Sequence, residues 1–447
     1  MIDHDVAVIR PARRLRGELR LPGDKSISHR ALMLATLADG ACHIRGAGDG
    51  ADVRSTAAAM RALGAEVDAE PEAGRRNVTY RVRSPGADGL RQPVAPIDCG
   101  NSGTSLRLTA GIVAGLPMTV VLDGDDSLRG RPVARIIEPL RRMGAVLHGR
   151  HDDSRPPLTV VGHTPLQAVD HTTAVPSAQV KSAILLAGLR AEGRTTVRER
   201  IATRDHTERM LRARGVAVTS AATDAGVAST VEGGIAVQPI DQIVPADVSA
   251  AAFWLVGAAI HPDAELTLVE VGVNPTRRAV IDLLRVMGAS IDETRPADVT
   301  PDDGVGEPIA NLTVRSSALH GIDIGPSEVA AAIDEIPVLC LAAAVADGTT
   351  TIRGAGELRR KESDRVEGIA AGLTALGTRI DVDGDDLRIH GGRALRGAVT
   401  DSLADHRLAM TFAIAGLIAT EGTTIERSSS AAVSYPGFFV DLEGVRA

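Results

Sequence analysis

Aromatic side chains are scarce in this 447-residue chain, which has one Trp, two Tyr and four Phe. Apolar residues still reach 44%, so large cores are available, but they must be packed from Ala, Leu, Val and Ile. The three cysteines, Cys42, Cys99 and Cys340, form no CxxC pair and give no disulfide framework. The opening Met1-Ile2-Asp3-His4-Asp5 lacks the basic segment and apolar core of a signal peptide. Every Ala- and Leu-rich run is cut by polar residues before membrane-spanning length. Cytoplasmic residence, away from membranes, is the expectation. The sequence also lacks GxxxxGK[ST], a GxGxxG between strand and helix, and HExxH, which argues against ATP, NAD and zinc. The formal charge, 49 cations against 57 anions, is -8 and confers no general attraction for nucleic acid. The basic run Arg10–Arg20 is broken by Pro11, Leu15 and Glu18, and reads as a solvated face or a substrate approach.

What the chain does have is repetition. An apolar helical segment ends and leads to a short β-branched run, and a second helical segment then ends at Gly. The second endings are Gly64-Ala65, Gly144-Ala145, Gly215-Val216, Gly288-Ala289 and Gly377-Thr378, with Gly444-Val445 as a truncated sixth. Glycine at each fits a helix C-terminus that needs positive φ. The predicted second helices cover Asp52–Leu63, Pro132–Met143, His206–Arg214, Pro275–Met287 and Glu362–Leu376. Irregular spacing argues against an open solenoid and for six α/β units, three on each side of a crossover at Gly234–Asp247. Disorder is expected only near Asp292–Gly306, where Pro, Asp and Gly accumulate.

Polar helix entrances carry the chemistry. Lys25-Ser26-Ile27-Ser28-His29-Arg30 follows Pro22-Gly23, so Ser26 or Ser28 can cap a helix whose start favours an anion. Asn101-Ser102-Gly103-Thr104-Ser105-Leu106-Arg107 and Ser177-Ala178-Gln179-Val180-Lys181 repeat the arrangement, and their convergence would form a phosphate-binding floor. The other half brings carboxylates and cations. Asp334-Glu335-Ile336-Pro337 opens an apolar run, with Asp334 placed to cap it or to face a cleft. In Lys361-Glu362-Ser363-Asp364-Arg365, Lys361 and Arg365 can share a helical face while Glu362 points elsewhere. Arg407 in Asp405-His406-Arg407 is a natural carboxylate or phosphate clamp, and His406 can shuttle a proton or orient a neighbour. Of Arg129 and Arg131, Arg131 is favoured because it directly precedes the proline that starts a helix.

These motifs together resemble the 5-enolpyruvylshikimate-3-phosphate synthase family over almost the full chain. They are LPGDKSISHRA at Leu21–Ala31, GNSGTSLR at Gly100–Arg107, GRP at Gly130–Pro132, SAQVKSA at Ser177–Ala183, RDHTERML at Arg204–Leu211, DEIP at Asp334–Pro337, KESDR at Lys361–Arg365 and DHRLAM at Asp405–Met410. The resemblance implies a two-domain inverse α/β barrel of six similar units. One domain would span residues 23–245, and a discontinuous partner would join 1–22 to 246–447, with the substrate cleft between them. It implies transfer of the enolpyruvyl group of phosphoenolpyruvate to shikimate 3-phosphate, on the route to chorismate and aromatic amino acids. Neither metal nor organic cofactor is implied, and a monomer is expected.

By motif, Lys25, Ser26, Arg30, Ser177, Gln179, Asp334 and Lys361 match shikimate 3-phosphate contacts. Lys25, Asn101, Gly103, Thr104, Arg131, Gln179, Arg365 and Arg407 match the phosphoenolpyruvate site. Asp334 and Glu362, assisted by Lys25, take the proton-transfer roles, with His406 in support. Ala178 replaces a serine found in many relatives, and Val433 a lysine. Spellings such as GDDSLRGRP look closer to the second class of the family, some of whose members tolerate glyphosate with Ala where this chain has Gly103. Retention of Gly103 leaves the response open, with sensitivity the favoured expectation. The alternatives are a UDP-N-acetylglucosamine enolpyruvyl transferase and a non-catalytic anion-binding protein. Against the first, Lys25 is followed by Ser rather than Asn, and Cys99 reads as packing at a strand end.

Overall fold

A computed structural model describes residues 5–72, 77–296 and 304–446. The stretch 292–306 lies partly outside these residues. Its described start belongs to a strand, Ser290–Thr294, rather than to an irregular segment. The chain divides into two compact units, Gly23–Val244 with Pro301–Glu307, and Met1–Pro22 with Pro245–Thr300 and Pro308–Ala447.

Helices and strands alternate in one recurring order. Ile97–Asp98 lies parallel to Thr119–Asp123, which pairs antiparallel with Arg155–Val161, which in turn pairs with Val146–Gly149. The helix Gly103–Ala114 joins the first two strands, and Ala134–Arg142 precedes the last hairpin. The same strand order recurs around Arg194–Glu199 and around Thr349–Ile352. Two further sheets take their parallel edge from distant sequence: Gln242–Ile243 beside Asp39–Gly48, and Leu15–Leu19 beside Ala264–Gly272. A sixth sheet has three strands, with Val6–Ile9 antiparallel and Val399–Asp401 parallel to Thr423–Glu426.

The expected inverse barrel is not formed. The sheets are open and mixed, each ending on free edges, whereas a barrel needs one ladder closed on itself. The parallel edge strand has only two or three residues in five of the six mixed sheets, and a seventh sheet is just the parallel pair Leu166–Gln167 and Ala191–Glu192. The apolar content explains what fills the interior instead. Val248–Ile260 is buried at every position, as are Ile336–Ala344 and His406–Gly416, and these three helices pack on one another. Strands such as Ile309–Arg315 alternate buried and half-buried positions, so each sheet covers helices with one face.

Each unit has its own apolar core. In Gly23–Val244 the only aromatic residue is Tyr80, so close packing there relies on small side chains. A Cβ on Gly111 would stand 2.3 Å from the Ala183 carbonyl oxygen, which is how closely Gly103–Ala114 meets Ala178–Gly188. In the other unit Phe253, Trp254, Tyr435, Phe438 and Phe439 gather in edge-on and tilted contacts. Gly64, Gly144, Gly215, Gly288 and Gly377 all have positive φ, the conformation expected at second-helix ends. Gly444 does not follow them: it sits inside the helix Phe438–Val445. Among the described residues no helix is long and apolar enough to cross a membrane.

Candidate active site

In the unit Gly23–Val244, three helices begin at the polar entrances. The cap of Lys25–Leu37 is Asp24, whose carboxylate accepts from the Ile27 amide at 2.9 Å, not Ser26 or Ser28. A carboxylate one residue upstream reaches this orphan amide with better charge complementarity. Ser28 is instead buried, donating to the Asp24 carbonyl and accepting from the Gly48 amide. Lys25 Nζ lies 3.0 Å from Asp52 Oδ2 and remains partly accessible. The Arg30 fork is used internally, donating to Thr207 Oγ1, Ser182 Oγ and the Ser26 carbonyl at 2.8, 2.8 and 2.9 Å. Burial lowers its guanidinium to about 10, so it stays charged at neutral pH.

The second and third entrances are joined by Gln179. Its side chain donates to Thr104 Oγ1 at 2.9 Å and accepts from Arg107 Nη1 at 2.5 Å. Ser102 and Ser177 cap their helices. Asn101 donates to Asp125 Oδ2 at 2.8 Å and accepts from Arg131, which also reaches Ser127 Oγ at 3.3 Å. Arg129 is held by both oxygens of Asp123 at 3.0 and 2.7 Å. A Cβ on Gly103 would stand 2.6 Å from Arg107 Nη1 and 3.6 Å from Arg131 Nη1, so glycine leaves these two guanidinium groups their space. Cys99 is buried and its thiol is pushed up to about 12, which suits packing and not nucleophilic work.

In the other unit the carboxylates gather on one cation. Arg365, 1% exposed, lies 2.7 Å from Asp405 Oδ2, 2.6 Å from Glu362 Oε2 and 3.5 Å from Asp334 Oδ1. Burial disfavours its charge, but Asp405, Glu362 and Asp334 more than reverse this, so it is held protonated. Burial likewise raises the Asp405 carboxyl, yet Arg365 and His406 hold it below its usual value. Asp405 also caps His406–Gly416 through the Arg407 amide, and His406 is buried in that first turn. Lys361 Nζ donates to Asp334 Oδ1 at 3.2 Å. Glu362 does not point away from this group. Asp364 caps Arg365–Ala375, so residues 361–364 lie before the helix and Glu362 turns back onto Arg365. Val433 ends the turn Ser428–Val433, half-buried, and brings no cation.

Two buried charge groups were not legible as such in the motifs. Lys181 lies 2.8 Å from Glu199 and 3.0 Å from Glu208, all three at most 2% exposed. One signal was available: only Lys25, Lys181 and Lys361 among 49 cations are lysine. Glu335, 0% exposed, accepts from Ser249 and faces Arg277 and Arg407. Its place beside Asp334 in sequence was the only hint. Among the described residues no cluster of His, Cys, Asp and Glu is placed to hold a metal ion.

Residues 9–442 match the family described as EPSP synthase (3-phosphoshikimate 1-carboxyvinyltransferase). The chain is 49% identical over 439 residues to the 3-phosphoshikimate 1-carboxyvinyltransferase of Gloeobacter violaceus, covering 98% of each chain. It is 46% identical over 435 residues to that of Geobacter sulfurreducens, covering 97% of this chain and 98% of the relative. The solved EPSP synthase of Acinetobacter baumannii superposes with a TM-score of 0.85 at 38% identity, covering 99% of this chain and 98% of that one. With a family match from residue 9 to residue 442, the chain belongs to the EPSP synthase (3-phosphoshikimate 1-carboxyvinyltransferase) family.

Proposed function

We infer that the chain is a transferase of aromatic amino-acid biosynthesis that moves the enolpyruvyl group of phosphoenolpyruvate onto shikimate 3-phosphate and releases phosphate. The observation that carries the chemical reading is the pair Asp334 and Glu362, both tied to the buried Arg365 guanidinium. One cation thereby sets the orientation of two carboxylates, as proton transfers at defined atoms require. Asp334 takes the proton of the 5-hydroxyl as its oxygen bonds to C2 of phosphoenolpyruvate. Glu362, assisted by Lys25, delivers a proton to the methylene carbon. The tetrahedral intermediate then expels phosphate, and loss of a methyl proton restores the double bond. Cations at these sites offset the anionic charge that persists throughout.

Shikimate 3-phosphate is assigned to Lys25, Ser26, Arg30, Ser177, Gln179, Asp334 and Lys361. Phosphoenolpyruvate is assigned to Lys25, Asn101, Gly103, Thr104, Arg131, Gln179, Arg365 and Arg407. Arg30 contributes charge and holds the Ser26 carbonyl, with three of its five N–H donors engaged by internal partners. Residues 23–245 are read as the shikimate-phosphate domain, and 1–22 with 246–447 as its partner domain, in a cytoplasmic monomer.

Purified protein given phosphoenolpyruvate and shikimate 3-phosphate should release phosphate and yield a product heavier than the acceptor by one enolpyruvyl group. UDP-N-acetylglucosamine should yield none. Absence of an enolpyruvyl product from shikimate 3-phosphate would overturn the assignment. Gly103→Ala tests the first unit. The added methyl displaces Arg107 Nη1 from Gln179, so KM for phosphoenolpyruvate should rise about tenfold. Inhibition by glyphosate, competitive with phosphoenolpyruvate, should weaken in the same variant. Unchanged KM and inhibition would remove Gly103 from the site.

A further inference from the structure

Glu335 is adjacent to Asp334 yet takes no part in the Arg365 group. Its side chain is 0% exposed, and a buried carboxylate is retained only with strong partners. Three are present. Ser249 Oγ donates to Glu335 Oε1, Arg277 Nη2 stands 3.4 Å from the same oxygen, and Arg407 Nη1 stands 3.6 Å from it. Arg277 Nη2 also donates to Ser249 Oγ at 2.6 Å, so serine, arginine and carboxylate form a closed triangle.

Glu335 thereby attracts Arg407 as well as Arg277. Arg407 is 7% exposed, and its Nε and Nη1 have no hydrogen-bond acceptor among the described residues. Buried guanidinium donors without acceptors are costly unless an anion completes them. We propose that Glu335, braced by Ser249 and Arg277, is a positioning residue that aims Arg407 at the anionic donor substrate. The inference rests on the reading of Arg407 as a phosphoenolpyruvate ligand. Glu335 touches no substrate: at 3.6 Å it draws Nη1 to one side by charge, leaving Nε and Nη1 donors for the ligand.

The test is a cycle of Glu335→Gln, Arg407→Lys and the double variant, with KM measured for both substrates. Glu335→Gln should raise KM for phosphoenolpyruvate about tenfold and leave KM for shikimate 3-phosphate unchanged. The double variant should be no worse than Arg407→Lys alone, because Glu335 acts only through Arg407. Losses that multiply, or equal rises in both KM values, would show a merely structural role and overturn the proposal. Arg407→Lys with unaltered KM for phosphoenolpyruvate would instead overturn the underlying reading of Arg407, and the proposal with it. Should Glu335→Gln not fold, Ser249→Ala replaces it in the same cycle, with a rise of about threefold expected and the same multiplicative result decisive.

Discussion

Asp334→Asn should lower kcat by about 10²–10⁴-fold while KM for both substrates stays near its wild-type value. Asparagine keeps the shape of the side chain, and its carbonyl oxygen still accepts from Lys361, whose Nζ lies 3.2 Å from Asp334 Oδ1. What disappears is the ability to take a proton. Glu362→Gln should show a loss of the same order, since glutamine still accepts from Arg365 but cannot deliver a proton as a carboxylic acid does. Steady-state kinetics with both substrates varied separate the two effects. Near-normal turnover with intact binding in either variant would end the role assigned to that residue.

The second large effect concerns Arg365, whose buried charge holds three carboxylates. Arg365→Met should destabilise its unit by about 3–5 kcal/mol, the usual result of breaking a buried ion pair from one side. Asp405, 0% exposed, loses the partner 2.7 Å away and keeps Ser363, the Arg407 amide and the nearby His406. The pH dependence has a definite sign. In the folded wild type Asp405 sits below its ordinary 3.8, so its ionised form stabilises the protein above that value, and this is lost as pH falls through the lowered folded value. The stability gap between wild type and variant should therefore be fully present at neutral pH and shrink in acid. Denaturant unfolding at neutral and acidic pH measures it. A gap that does not change with pH would mean that the Arg365–Asp405 pair is not its source.

Much of this protein is written locally. Positive φ at Gly64, Gly144, Gly215, Gly288 and Gly377 was legible because a helix terminus depends on residues within one turn of it. The short β-branched runs that follow the first helices were legible as strands, as at Thr423–Glu426. Motifs such as KSISHR, GNSGTSLR and KESDR identify the family because many residues recur in order over the whole chain. Caps were less certain. Several oxygen-bearing residues stand near each helix start, and only backbone geometry decides that Asp24 reaches Ile27 and that Asp364 caps Arg365–Ala375.

Tertiary structure alone decided the rest. Whether the sheets close depends on pairing between strands far apart in sequence, and the two- or three-residue parallel edges end it. Arg365 meets Asp405 across 40 residues, and Ser249 meets Glu335 across 86. No local periodicity encodes such meetings. By itself the sequence determined five second-helix ends, the β-branched strands after the first helices, the family and the residue types at the proposed site. Only the folded chain decided which buried cation faces which carboxylate, because that depends on desolvation and packing around distant helix starts and not on spacing along the chain.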